Sequence, residues 1–184
     1  MTVQRVAIGL VTVATLVGLA AAQSKHTPPK TDKEKIANAM SAAPKPVAQE
    51  ATIVDMDAQG KMKVLREGKG PFTCMPDNPT TPGNDPMCLD KAGMEWAHAW
   101  MTKTQPPAGV GFGYMLMGGS DASNDDPHAT KPAPGKKWVD TGAHVMVFNP
   151  GPMADAYPKS AEDPRKPYVM WPGTPYQHLM IPVK

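Results

Sequence analysis

The sequence predicts an α+β domain: a mainly antiparallel sheet of short strands with one principal helix, about residues 89–104, packed on one face. Short apolar runs with β-branched and aromatic content recur from Ala51 to the C-terminus. Prolines, 22 in all, punctuate the chain from Pro71 onward and exclude long helices over most of it. Only one stretch between those strands keeps helical spacing over several turns, and no βαβ alternation is present.

The N-terminus sets the compartment. Arg5 is followed by an apolar run from Val6 to Ala20, and Ala20-Ala21-Ala22 supplies small residues before a cut at Gln23. Residues 1–22 therefore read as a signal peptide and the mature chain as exported, to the periplasm or beyond the cell. The run is shorter than the roughly 18 residues of a membrane span and lacks a basic flank, so no stable membrane anchor is expected. Residues 23–50 read as a basic, Pro-containing tether with a short helix. In it Thr31-Asp-Lys-Glu34 has the form of a capping box, Ile36, Ala39 and Met40 follow at helical spacing, and Pro44 stops the run. Residues 51–184 form the single globular domain.

Within that domain, Ala51–Met56 and Lys61–Arg66 flank Asp57-Ala-Gln-Gly60 as a hairpin, with Gly60 at positive φ. The same residues open like a Ca²⁺ loop, but Arg66 stands where the bidentate Glu belongs. From Leu89 to Thr104 the principal helix has Asp90 as its cap, Met94, Ala97 and Met101 as one stripe, Trp96 and Trp100 as an adjacent pair, and Pro106-Pro107 as its stop. Further strands are predicted in Val110–Met117, Trp138–Asp140, Ala143–Phe148, Tyr168–Trp171 and Leu179–Ile181. Gly111 and Gly113 leave one face of the first of these nearly bare, so a ring or another backbone should approach it.

Lys and Arg number 19 against 17 Asp and Glu, without a clustered basic face. That balance excludes nucleic acid held by bulk charge. Cys74 and Cys88 are the only cysteines, and in an oxidising compartment they are expected to form a disulfide around a proline-rich loop.

Three groups of residues carry possible chemistry. His144-Val-Met146 and His178-Leu-Met180 each set an imidazole and a thioether on one strand face, a donor pair suited to Cu(I) if the two strands are neighbours. Asp121-Ala-Ser-Asn-Asp-Asp126 concentrates oxygen donors, with Asp121, Asp125 and Asp126 as Ca²⁺ ligands in one reading and as turn residues in the other. Phe112, Tyr114 and Trp171, with His144 and His178, are candidates for an aromatic small-molecule pocket. An enzymatic reading, a hydrolase with His128 or His144 as base, an Asp of the 121–126 loop as its partner and Ser120 as nucleophile, lacks every familiar catalytic motif. The chain thus reads as a binding or accessory protein for a small ligand or metal ion rather than as an enzyme.

Several motifs together, Thr73-Cys-Met-Pro76, Pro86-Met-Cys-Leu-Asp90, Gly113-Tyr-Met-Leu-Met117, Ala122-Ser-Asn-x-Asp-Pro127, Gly142-x-His-Val-Met146 and Pro167-Tyr-Val-Met-Trp171 with Gly173-Thr-Pro-Tyr176 and His178, resemble a family of small exported bacterial proteins. The resemblance implies export and a single domain, and it carries over no activity, ligand or site residue.

Overall fold

The computed structural model describes residues 26–57, 61–163 and 165–183, so the expected signal peptide and Gly60 lie outside the described residues. The hairpin forms from β1 (Thr52–Met56) and β2 (Met62–Arg66), with the Lys61 N–H donating to Asp57 Oδ1 at its mouth (2.9 Å). Alongside β1, and parallel to it, lies β3 (Phe72–Met75), which pairs antiparallel with β4 (Met87–Asp90). The sheet continues antiparallel through β5 (Gly111–Met115), β8 (His144–Phe148) and β10 (His178–Pro182) to β9 (Tyr168–Met170) at the far edge. A separate ribbon joins β6 (Ser120–Asp121) and β7 (Val139–Asp140). The mainly antiparallel α+β class is thus the observed one.

Cys74 and Cys88 are direct cross-strand partners in β3 and β4 and are disulfide-bonded. These two strands are not among the sequence predictions, because each is only four residues long and the intervening loop carries no apolar alternation.

The segment expected to be a tether belongs to the folded domain. Helix α1 (Asp32–Met40) starts with the predicted capping box, Glu34 N–H donating to Thr31 Oγ1 and Thr31 N–H to Glu34 Oε2. The run ends at Met40, before Pro44, as expected. A second helix, α2 (Lys45–Glu50), follows it, with Pro46 in the first turn, where no intrahelical N–H is needed. Ala39, Ala42, Ala43 and Ala48 bury against Ile53, Cys74 and Cys88, since methyl side chains let both helices lie close to the sheet. Arg66 ties them down by donating to the carbonyl oxygens of Ala48 (2.7 Å) and Ala51 (2.8 Å).

Helix α3 (Lys91–Thr102) is shorter than predicted, because Leu89 belongs to β4 and the strand runs directly into the helix. Asp90 caps it as expected, accepting from the Gly93 N–H at 2.7 Å. Its buried face is centred on Gly93, Trp96 and Ala99; Met94 and Ala97 of the expected stripe are half-buried against the same core, whereas Met101 is 42% exposed. The cause is a pair of glycines. A Cβ on Gly111 would lie 2.4 Å from Gly93 N, so bare backbone on both partners lets α3 press onto β5 and rotates Trp96 inward. This is the close backbone approach anticipated at the bare strand face.

The sheet is covered on both faces. Ile53, Cys74 and Cys88 face α1 and α2, and on the same side Val147, Val169 and Leu179 face Ala154 of a 3-10 turn (Gly151–Ala156). The opposite face packs against α3, Trp171 and Tyr176. Alternation and register bring every methionine of these eight strands to that second face: Met56 opposite Met62, Met75 opposite Met87, Met146 opposite Met180, and Met115 and Met170 in flanking rows.

Candidate binding site

The strands carrying the two His–Met pairs are neighbours, as the Cu(I) reading requires. Register sets Gly113, Met146, Met180 and Tyr168 in one row across β5, β8, β10 and β9. Toward one end of the strands lies the Met115–His144 row, and toward the other the Phe148–His178–Met170 row. The imidazoles are therefore at opposite ends of the paired methionines, four positions apart or about 13 Å along the strands. They are not side by side, and both thioethers are buried.

The two histidines share a local device. His144 Nδ1 lies 2.7 Å from the carbonyl oxygen of Gly142, and His178 Nδ1 lies 3.0 Å from that of Tyr176, in each case two residues back. Burial pushes both imidazoles down from their ordinary value, His178 to about 4, against the smaller opposing effect of those carbonyls. Each ring is thus neutral at pH 7, with Nδ1–H donating to a carbonyl and the lone pair left on Nε2. His178 is boxed by Trp171 (5.0 Å between centroids), Trp96 (5.2 Å) and Phe148 (5.6 Å). His144 Nε2 has no hydrogen-bond partner among the described residues.

The pocket expected around Phe112, Tyr114 and Trp171 is not formed. Phe112 and Tyr114 alternate onto the face opposite Trp171. Phe112 is 47% exposed, and Tyr114 packs on Phe72. Trp171 instead joins a stack with Trp96 and Trp100, while Leu89, Met146 and Phe148 fill the space beside Gly113. Within the 121–126 loop the side chains are engaged as turn caps. Asp121 Oδ1 accepts from the Ser123 N–H, Ser123 Oγ from the N–H groups of Asp125 and Asp126, and Asp126 Oδ1 from the His128 N–H. Asp125 and Asp126 are exposed, and no group of three His, Cys, Asp or Glu residues among the described residues is arranged to hold an ion.

The site that does form is a cleft of about 840 Å³ between the C-terminal half of α3, the β6–β7 ribbon, and the loops around Thr80 and His128. Trp100, Met101 and Trp138 give it apolar wall, and Ser120, Asp121, His98 and His128 give it polar groups. The Trp100 indole is fixed by its N–H bond to the Pro127 carbonyl (2.7 Å). Burial raises the Asp121 carboxyl to about 6, the negative charges of Asp85 and Asp126 add to the effect, and its backbone N–H bonds oppose it. Asp121 has no salt bridge among the described residues, and Lys103 stands exposed at the rim. Ser120 Oγ accepts from the Gly83 N–H (2.9 Å) and lies 3.3 Å from Asp85 Oδ2, and no imidazole bonds it among the described residues.

His128 and Asp121, named as base and partner in the hydrolytic reading, thus share this cleft, whereas His144 is buried in the sheet. The sequence reading misses Trp100 and Trp138 as site residues. The available signal was Trp138 itself, a large aromatic in a stretch of Lys, Pro and Gly with no apolar run to bury it. No protein-family model, curated protein or solved structure matches the chain.

Proposed function

We propose that this protein is an exported, non-catalytic binding module whose cleft takes a small organic cation, an amine carried on an apolar or aromatic frame. One observation carries the reading: the half-buried Asp121 carboxylate lines the same cleft as Trp100 and Trp138, is acted on by two further carboxylates, and has no salt bridge among the described residues. A ligand ammonium supplies the missing positive charge, and Trp100 and Trp138 offer faces that attract a cation and cover its apolar part. Export is supported by Arg5 with its apolar run, by the Cys74–Cys88 disulfide, and by the lack, among the described residues, of a helix long and apolar enough to cross a membrane. The absence of a placed nucleophile and base favours binding over turnover.

Tryptophan fluorescence titration against primary and quaternary aromatic amines, with neutral and anionic analogues as controls, tests the proposal. Amines should bind selectively, Asp121→Asn should weaken them at least about tenfold as a charge-assisted contact is lost, and binding should decline below pH 6 as Asp121 protonates. Equal binding of the neutral analogues, or amine affinity unchanged in Asp121→Asn, refutes it.

A further inference from the structure

We propose that His144 and Met115, with Met146 as third donor, form a buried Cu(I) site distinct from the cleft. Several observations converge on it. Nδ1 of His144 is held by the Gly142 carbonyl, the outer arrangement that orients a metal-binding imidazole and leaves Nε2 as the free donor. That Nε2 is unpartnered in a side chain 1% exposed, and a buried lone pair without a donor calls for an occupant. Met115 is the direct cross-strand partner of His144, and Met146 follows two residues along the same face. Beneath Gly119 the Met115 Cε and His144 Cε1 converge with Thr141 Oγ1, lying 3.0, 3.7 and 2.9 Å from the point a Cβ there would take, so the thioether and imidazole ends are packed together. Imidazole nitrogen with thioether sulfur is a soft, uncharged donor set. The thioethers suit it to Cu(I) over Zn²⁺, which takes imidazole, thiolate or carboxylate, and over Ca²⁺, which takes oxygen.

Met117, 51% exposed, stands two residues beyond Met115, and Gly119 lies beside the His144 ring, with Gly118 at φ 99° packing on Gly142. His178 takes no part, because three aromatic rings enclose it.

Cu(I) stabilised in acetonitrile, which leaves the disulfide intact, is titrated anaerobically into the mature chain against a colorimetric Cu(I) chelator. X-ray absorption of the loaded protein reads the donor atoms. One Cu(I) per chain is expected, with both nitrogen and sulfur scatterers. Met115→Leu, which nearly conserves volume, and His144→Asn should each weaken uptake at least about tenfold. Exchange of the exposed Met101 and Met153 for Leu should leave it unchanged, as should Asp121→Asn, which separates this site from the amine cleft. Far-UV circular dichroism checks each fold, and Met115→Leu keeps the test decisive if His144→Asn does not fold. Uptake unaltered by Met115→Leu, loss of uptake in the Met101/Met153 variant, an absorption spectrum without sulfur, or no binding against the chelator overturns the proposal.

Discussion

Replacement of Asp121 by Asn should make the protein more stable at neutral pH. The carboxyl is raised from 3.8 to about 6, so the folded state holds its proton roughly a hundredfold more tightly than the unfolded chain does. As pH rises from about 4 to about 6 the unfolded chain ionises first, and stability falls across that window and then levels off. The full penalty is at most about 3 kcal/mol, and on the order of 1–2 kcal/mol for a group that is only half-buried. Asn keeps an Oδ1 for the Ser123 N–H and carries no charge, so it removes the penalty without opening the turn. Urea unfolding of both proteins at several pH values from 4 to 7.5 isolates the contribution of Asp121 and its coupling to Asp85 and Asp126, because titrating groups that do not interact with it cancel in the difference. The variant should match wild type near pH 4 and gain through pH 6. A difference that is flat with pH would refute the assignment of Asp121 as a buried, charge-crowded carboxyl.

Reducing the Cys74–Cys88 disulfide, which closes 14 positions of chain, should lower stability by about 3 kcal/mol, and thermal melts with and without reductant would show no separation if the loop were independently anchored. Gly111→Ala should be severely destabilising, by about 1–3 kcal/mol or more, because the new methyl would meet Gly93 N at 2.4 Å, whereas Gly109→Ala finds its nearest neighbour at 3.7 Å and should be tolerated. Equal melting of the two would contradict the close packing of α3 on β5. Arg66→Ala should cost about 1–3 kcal/mol and speed amide hydrogen exchange in α1 and α2, since the carbonyls of Ala48 and Ala51 lose their donor; unchanged exchange there would show that the alanine packing alone holds the helices.

The elements legible in the sequence are those whose signal is local. The Thr31–Glu34 box, the Asp90 cap, the β1–β2 hairpin and the β-branched run at His144–Phe148 all state their structure within a few residues. What was not legible depended on partners far away. Met94, Ala97 and Met101 look like a core stripe in isolation, yet the contact of Gly93 with Gly111 sets the inward side of α3 so that Met94 and Ala97 are half-buried at its edge and Met101 is exposed. β3 and β4 exist because each completes the other's ladder, which no four-residue pattern announces. The His–Met pairs were recognisable by alternation, but their offset along the strands is set by register and so only by the fold. The cleft was hidden for a similar reason, since Trp100 and Trp138 reach it from a helix and a loop 38 positions apart.

The hairpin that begins the sheet also leaves its outer margin open. Only two residue pairs, Thr52 with Thr73 and Ile53 with Cys74, join β1 to β3, and beyond it β2 has no further strand partner among the described residues, with Met62 and Val64 about half exposed. Such a border invites strand addition from another molecule. Lys61 and Lys63 stand exposed along that margin, Lys63 paired with Asp32 of α1 at 2.8 Å, so an incoming strand meets charged side chains there. Charged side chains on an edge strand work against edge-to-edge pairing, and their effect weakens as salt rises.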